Sequence, residues 1–144
     1  MPGLPHTLSP DDRRFRSDFE AGHVPPAAFD HRAHLRLAYG LLVEHGDDVD
    51  AAVAAMRRVL HTFLARFAID PAKYHETLTA AWLLAVRHFL AGSPPCASAD
   101  DFLRHVPRLL DSTIMRTHYS AATLASPAAR AGFVAPDLDP IPPA

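Results

Sequence analysis

VDAAVAAMRRVLHTFLARFA, residues 49–68, carries Val49, Val53, Met56, Leu60, Phe63 and Phe67 at alternating steps of four and three. That spacing places all six on one face of an α-helix, since residues three and four apart lie above one another. Asp47 or Asp48 supplies the N-cap, and the helix ends near Ala68. A face this apolar cannot stay in water, so it requires neighbours that bury it.

Those neighbours are legible on both sides. Ser9 before Pro10 is a cap followed by a first-position proline, and Asp11 and Asp12 suit the helix dipole, so a short helix runs to about Glu20. AGHVPP, residues 21–26, breaks it, and a second helix runs from about Pro26 to His45 and is closed by Gly46. Asp70 and Pro71 repeat the cap-then-proline signal for a fourth helix reaching Ala91. Ser98 with Asp100 and Asp101 opens a fifth through Leu110, bent or cut short by Pro107. Short helical pieces follow in TIMRTHY and SPAARAGF, and VAPDLDPIPPA is an extended, proline-rich tail. No stretch keeps the two-residue alternation of a strand. The expected fold is therefore all-α: one compact bundle of about five main helices spanning residues 1–144, with extended termini at 1–8 and 134–144.

The chain has 144 residues, 49% of them hydrophobic and 21% charged, with a formal charge of -2. That size fits one domain with one core. The absence of a basic stripe argues against a nucleic-acid partner, and the absence of a long apolar run argues against membrane spanning. The N-terminal residues lack an apolar leader, and Cys96 is the single cysteine, so the expected compartment is the cytoplasm. With only one thiol, any zinc or iron site is expected to rest on nitrogen and oxygen ligands.

The ten histidines are distributed unevenly. His31 and His34 share the inward stripe of the second helix with Leu35, Ala38 and Leu42. His75 shares that of the fourth with Leu78, Thr79, Trp82 and Val86. Short connections make helices two and four run in the same direction, so their N-terminal turns meet at one end of the bundle. His31, His34 and His75 can then converge on a divalent metal, Zn, Fe or Cu, with positions left open. Glu76 is the expected general base or hydrogen-bond partner of a ligand, and Asp30 an alternative oxygen donor. Tyr119 is a second catalytic candidate. Arg32, Tyr74, Thr79 and His118 are the expected substrate contacts, and Arg32 would receive a carboxylate or phosphate.

The bland alternative is that the histidines are satisfied core residues and that Trp82, Phe63, Phe67 and Phe89 are simply core. The N-termini of two helices also favour an anion at this place unless Asp30 and Glu76 offset them. Cys96, in a loop after two prolines, has little support as a nucleophile. Three functions compete: a metal-dependent enzyme acting on a small polar or carboxylate substrate, a ligand-, haem- or metal-binding sensor without turnover, and a structural module docking a second copy or another protein. Elemental analysis of wild type beside a His31→Ala/His75→Ala variant separates the first from the last.

FDHRAHLRLAYGLL, KYHETLTAAW and HYSAATLASPAARAGFVAPDLDPIP resemble, in that order, the motifs of a family of small bacterial helical proteins. The resemblance runs from about residue 26 to the C-terminus. It implies that His31, His34, His75, Glu76, Thr79, Tyr119 and Ser120 occupy the family's motif positions, and it implies no particular reaction.

Overall fold

The computed structural model describes residues 6–46 and 48–143, and every described element is helical or irregular. Helix α1 (Pro10–Glu20) starts with Ser9 and Asp12 capping each other's backbone N–H groups. Helix α2 (His31–Glu44), α3 (Val49–Arg66) and α4 (Glu76–Ala91) pack against one another as the centre of the bundle. Helix α1 covers α2 and α3, α5 (Ala99–His105) covers α2, and the short α6 (Ala121–Ala125) and α7 (Pro127–Ala131) close over α4. The all-α bundle read from the sequence is the fold observed.

The stripe on α3 is buried through Ala52, Ala55, Met56, Leu60 and Phe63, with Val49, Val53 and Phe67 partly covered at its edges. Opposite it stand Leu35, Ala38, Leu41 and Leu42 of α2 and Ala81, Leu83, Val86 and Leu90 of α4. Phe19 of α1 stacks on Phe63 with ring centroids 4.8 Å apart, tying the outer helix to the centre. Asp48 caps α3 by accepting the N–H of Ala51; Asp47, the other expected cap, lies outside the described residues.

Two helix starts differ from expectation, and both matter for the site. Pro26 opens only a 3-10 turn, Pro26–Ala28, and α2 begins five residues later, where the Asp30 carboxylate accepts the N–H of Ala33. Pro71 likewise opens a 3-10 turn, Pro71–Lys73, capped by Asp70; Tyr74 is extended and α4 begins at Glu76. Proline presets its own φ and removes one donor, which suits a first helical turn, but it does not oblige the chain to continue past that turn. The fifth helix behaves as Pro107 suggests: α5 stops at His105 and a 3-10 turn, Pro107–Leu110, follows.

The tail is extended but pinned. The Tyr119 hydroxyl donates to Val134 O at 2.6 Å, and the Leu138 and Asp139 N–H groups donate to His118 O and Thr117 O. The described helices include none long and apolar enough to cross a membrane.

Candidate ligand cavity

The first turns of α2 and α4 do not close against the middle of α3. They leave a cavity of about 470 Å³, within the size range of small-molecule sites. Its lining combines the apolar Phe29, Leu35, Met56, Leu60, Phe63 and Trp82 with the polar Asp30, His31, His34, Lys73, Tyr74, His75 and Thr79. The structure thus brings His31, His34 and His75 to one cavity.

Their ring nitrogens are committed differently. His31 Nε2 lies 2.8 Å from Leu109 O. A carbonyl only accepts, so this nitrogen carries the proton and Nδ1 carries the lone pair. His34 Nδ1 donates to Asp30 O at 3.3 Å, which leaves the lone pair on Nε2. No described protein group binds either lone pair. His75 is spent: its Nδ1 accepts the Leu78 N–H at 3.1 Å and its Nε2 donates to Leu124 O at 2.8 Å. It is the N-cap of α4 rather than a residue of its first turn. Among the described residues, no three ligand atoms drawn from His31, His34, His75, Asp30 and Glu76 lie within 4.8 Å of one another, so the rings as they stand do not make the expected three-histidine ligand set.

His34 faces the open volume of the cavity and stacks on Phe29, with ring centroids 3.9 Å apart. Crowding by protein on that side disfavours its charged form and lowers its pKa, against the raising influence of Asp30 O. His31 meets Trp82 edge to face at 4.6 Å. Thr79 lines the same cavity, its hydroxyl donating to His75 O at 2.9 Å.

Glu76 stands outside this cavity. Arg57 grips both carboxylate oxygens, at 2.9 and 2.6 Å, and the Tyr74 hydroxyl donates to one of them at 2.6 Å. The Arg57 guanidinium holds the Glu76 carboxyl below its ordinary pKa, and burial pushes the Tyr74 hydroxyl up to about 12. A carboxylate already accepting three hydrogen bonds is a weak base; this geometry suits a clamp joining α3 to α4. Because its pKa is depressed on folding, the clamp contributes stability above the ordinary carboxylate range and loses it as pH falls through the folded-state value. Glu76→Gln should remove that acid-induced loss and cost about 1–2 kcal/mol at neutral pH, held low because Arg57 is 45% exposed. Urea unfolding of both proteins across the acidic range measures this.

The remaining expected contacts also lie away from the cavity lining. Arg32 is exposed and pairs with Asp100 at 3.0 Å. His118 Nδ1 donates to Asp139 O at 2.7 Å. Tyr119 is fully buried on the far side of His75, and burial pushes its hydroxyl up to about 12. Its one visible task is to hold the tail through Val134 O. Tyr119→Phe should therefore cost about 1–2 kcal/mol in denaturant unfolding and leave ligand binding in the cavity unchanged.

Four lining residues that shape the cavity, Phe29, Phe63, Lys73 and Trp82, carry no site role in the sequence pattern. The spacing places Phe29 inside a helix and Phe63 and Trp82 in the core, whereas all three line the cavity. Lys73 is the only lysine among the 14 lysine and arginine residues, and it lines the cavity. In a chain otherwise committed to arginine, that singularity was the available signal. No protein-family model matches the sequence, and no curated protein or solved structure matches it.

Proposed function

We propose that this chain binds a small, largely apolar molecule bearing one weakly acidic hydroxyl, and that His34 Nε2 accepts a hydrogen bond from that hydroxyl. The observation that carries the reading is the pair of unengaged imidazole lone pairs, His31 Nδ1 and His34 Nε2, on histidines that line a cavity together with Phe29, Phe63 and Trp82. Each imidazole is oriented by a backbone carbonyl through its other nitrogen, the arrangement that fixes the tautomer of a general base. Both present acceptors, so a donor group on the ligand is matched. Phe29, Phe63 and Trp82 suit a cyclic or aromatic body. Lys73, on the same lining, supplies positive charge that favours the hydroxyl oxygen when it ionises at high pH.

Trp82 is the only tryptophan and lines the cavity, so its fluorescence reports occupancy. Titration with p-cyclohexylphenol should change that fluorescence saturably, and the methyl ether of the same compound should bind more weakly. Equal responses to the two, or no response to either, would remove the basis of the reading.

The same lone pairs favour a second reading, a divalent zinc, iron or copper ion held by His31 and His34 and activating a substrate oxygen. Metal-bound histidines characteristically donate their other N–H to a carbonyl, as both do here. His75 would join only by releasing the Leu78 N–H and uncapping α4. Metal content that disappears in a His31→Ala/His34→Ala variant would favour this reading over the first.

A further inference from the structure

Away from the cavity, the chain's one cysteine stands beside a carboxylate and an imidazole. Cys96 Sγ, one Asp101 oxygen and one His105 ring nitrogen all lie within 4.8 Å of one another. None of the three lines the cavity. The backbone at Cys96 is held rigidly: its N–H donates to His6 Nδ1 at 3.0 Å, and its carbonyl accepts from the Thr7 N–H at 2.9 Å and the Tyr39 hydroxyl at 3.2 Å. Asp101 and His105 are one turn apart on α5 and so share a face. The Ala97 N–H donates to Asp101 Oδ2 at 3.0 Å and orients the carboxylate, whose Oδ1 lies 3.7 Å from His105 Nε2.

We propose that Cys96, Asp101 and His105 form a site for a thiophilic divalent metal ion, zinc foremost, with a fourth position open to solvent. Three protein ligands of sulfur, oxygen and nitrogen type are the set that zinc accepts when one position is left to water. Bond lengths of about 2.3 Å to sulfur and about 2.0–2.2 Å to nitrogen and oxygen put tetrahedral ligands roughly 3.3–3.7 Å apart. Asp101 Oδ1 and His105 Nε2, 3.7 Å apart, already stand at about this separation, and the remaining pairs must close by about 1 Å at most to reach it. The Asp101 and His105 side chains, 28% and 45% exposed, have the freedom to do so, while Cys96 stays fixed. Arg104, 72% exposed and 3.3 Å from Asp101, gives up a weak surface contact. On binding, the thiol proton leaves to solvent, the Sγ hydrogen bond to Pro94 O is lost, and the thiolate coordinates the ion. The thiolate selects zinc, cobalt or iron over magnesium and calcium.

Cobalt titrated into the metal-free full chain tests the site, because thiolate ligation produces a charge-transfer band that histidine and carboxylate alone do not. The expected result is a saturating band that added zinc abolishes. His105→Ala and Asp101→Asn, both on the exposed side, should each weaken cobalt binding about 10-fold or more with helicity retained. Cys96→Ser should abolish the band, with circular dichroism checking that this buried position still folds, and His34→Ala should leave it intact. No band in wild type, a band indifferent to both His105→Ala and Asp101→Asn, or a band lost in His34→Ala would each overturn the proposal. The last three outcomes leave the phenol test of the cavity untouched, so the two readings fail separately.

Discussion

His34→Ala should weaken binding of p-cyclohexylphenol about 10-fold, the worth of one hydrogen bond, while binding of the methyl ether stays as in wild type. The substitution deletes the Nε2 lone pair and leaves the apolar lining of Phe63, Met56, Leu60 and Trp82 standing. Discrimination between phenol and ether should therefore shrink toward unity, and that ratio is more telling than either affinity alone. Alanine is also a strong helix former, and His34 faces the cavity rather than the packed centre, so the bundle should tolerate the change. If the methyl ether loses affinity as much as the phenol does, His34 shapes the cavity through its stack on Phe29 and accepts nothing. Lys73→Met makes a second arm: it should lower phenol affinity most at high pH, where the bound hydroxyl ionises, and leave the ether unaffected.

Thr77→Val should be the most costly of these changes to stability, at about 2–3 kcal/mol in denaturant unfolding, because it removes two part-buried hydrogen bonds at constant shape. Thr77 is fully buried in the first turn of α4. Its hydroxyl donates to Gly132 O at 2.9 Å and accepts the Val134 N–H at 3.0 Å, so one oxygen joins α4 to the start of the tail. Valine leaves a carbonyl and an amide without partners, and each carries its own desolvation penalty. Thr77→Ser, which keeps both bonds and loses one methyl, should cost about 1 kcal/mol. A valine variant as stable as wild type would show that water reaches the Gly132–Val134 backbone.

The helices were legible where their signals are local. Ser9–Pro10 and Ser126–Pro127 each start a helix where they stand, because the cap and the proline act within a single turn. Around the cavity the same signal misleads by a few residues. At Pro26 and Pro71 it opens a 3-10 turn, and the true caps follow at Asp30 and His75. Histidine does not rank among the usual capping residues, so nothing local marked His75 as a cap, and its place beside an inward stripe read as ligation instead. The grouping of His31, His34 and His75 was legible because parallel helices two and four fix which turns meet. Which nitrogen each ring exposes was not, because it depends on Leu109 and Leu124, 78 and 49 residues away in the chain. Glu76 was read as a base because its partner Arg57 sits on another helix, where no spacing rule connects the two.

A bare His34 Nε2 available to the cavity is the central feature of the proposed site, and nitrogen-15 NMR of the imidazole rings in the full chain observes that atom directly. In the free protein His34 should appear as the Nδ1–H tautomer with an unprotonated Nε2, and saturation with p-cyclohexylphenol should shift Nε2 strongly while Nδ1 remains an N–H. A free-state His34 carrying its proton on Nε2, or an Nε2 resonance that does not move at saturation, would contradict it.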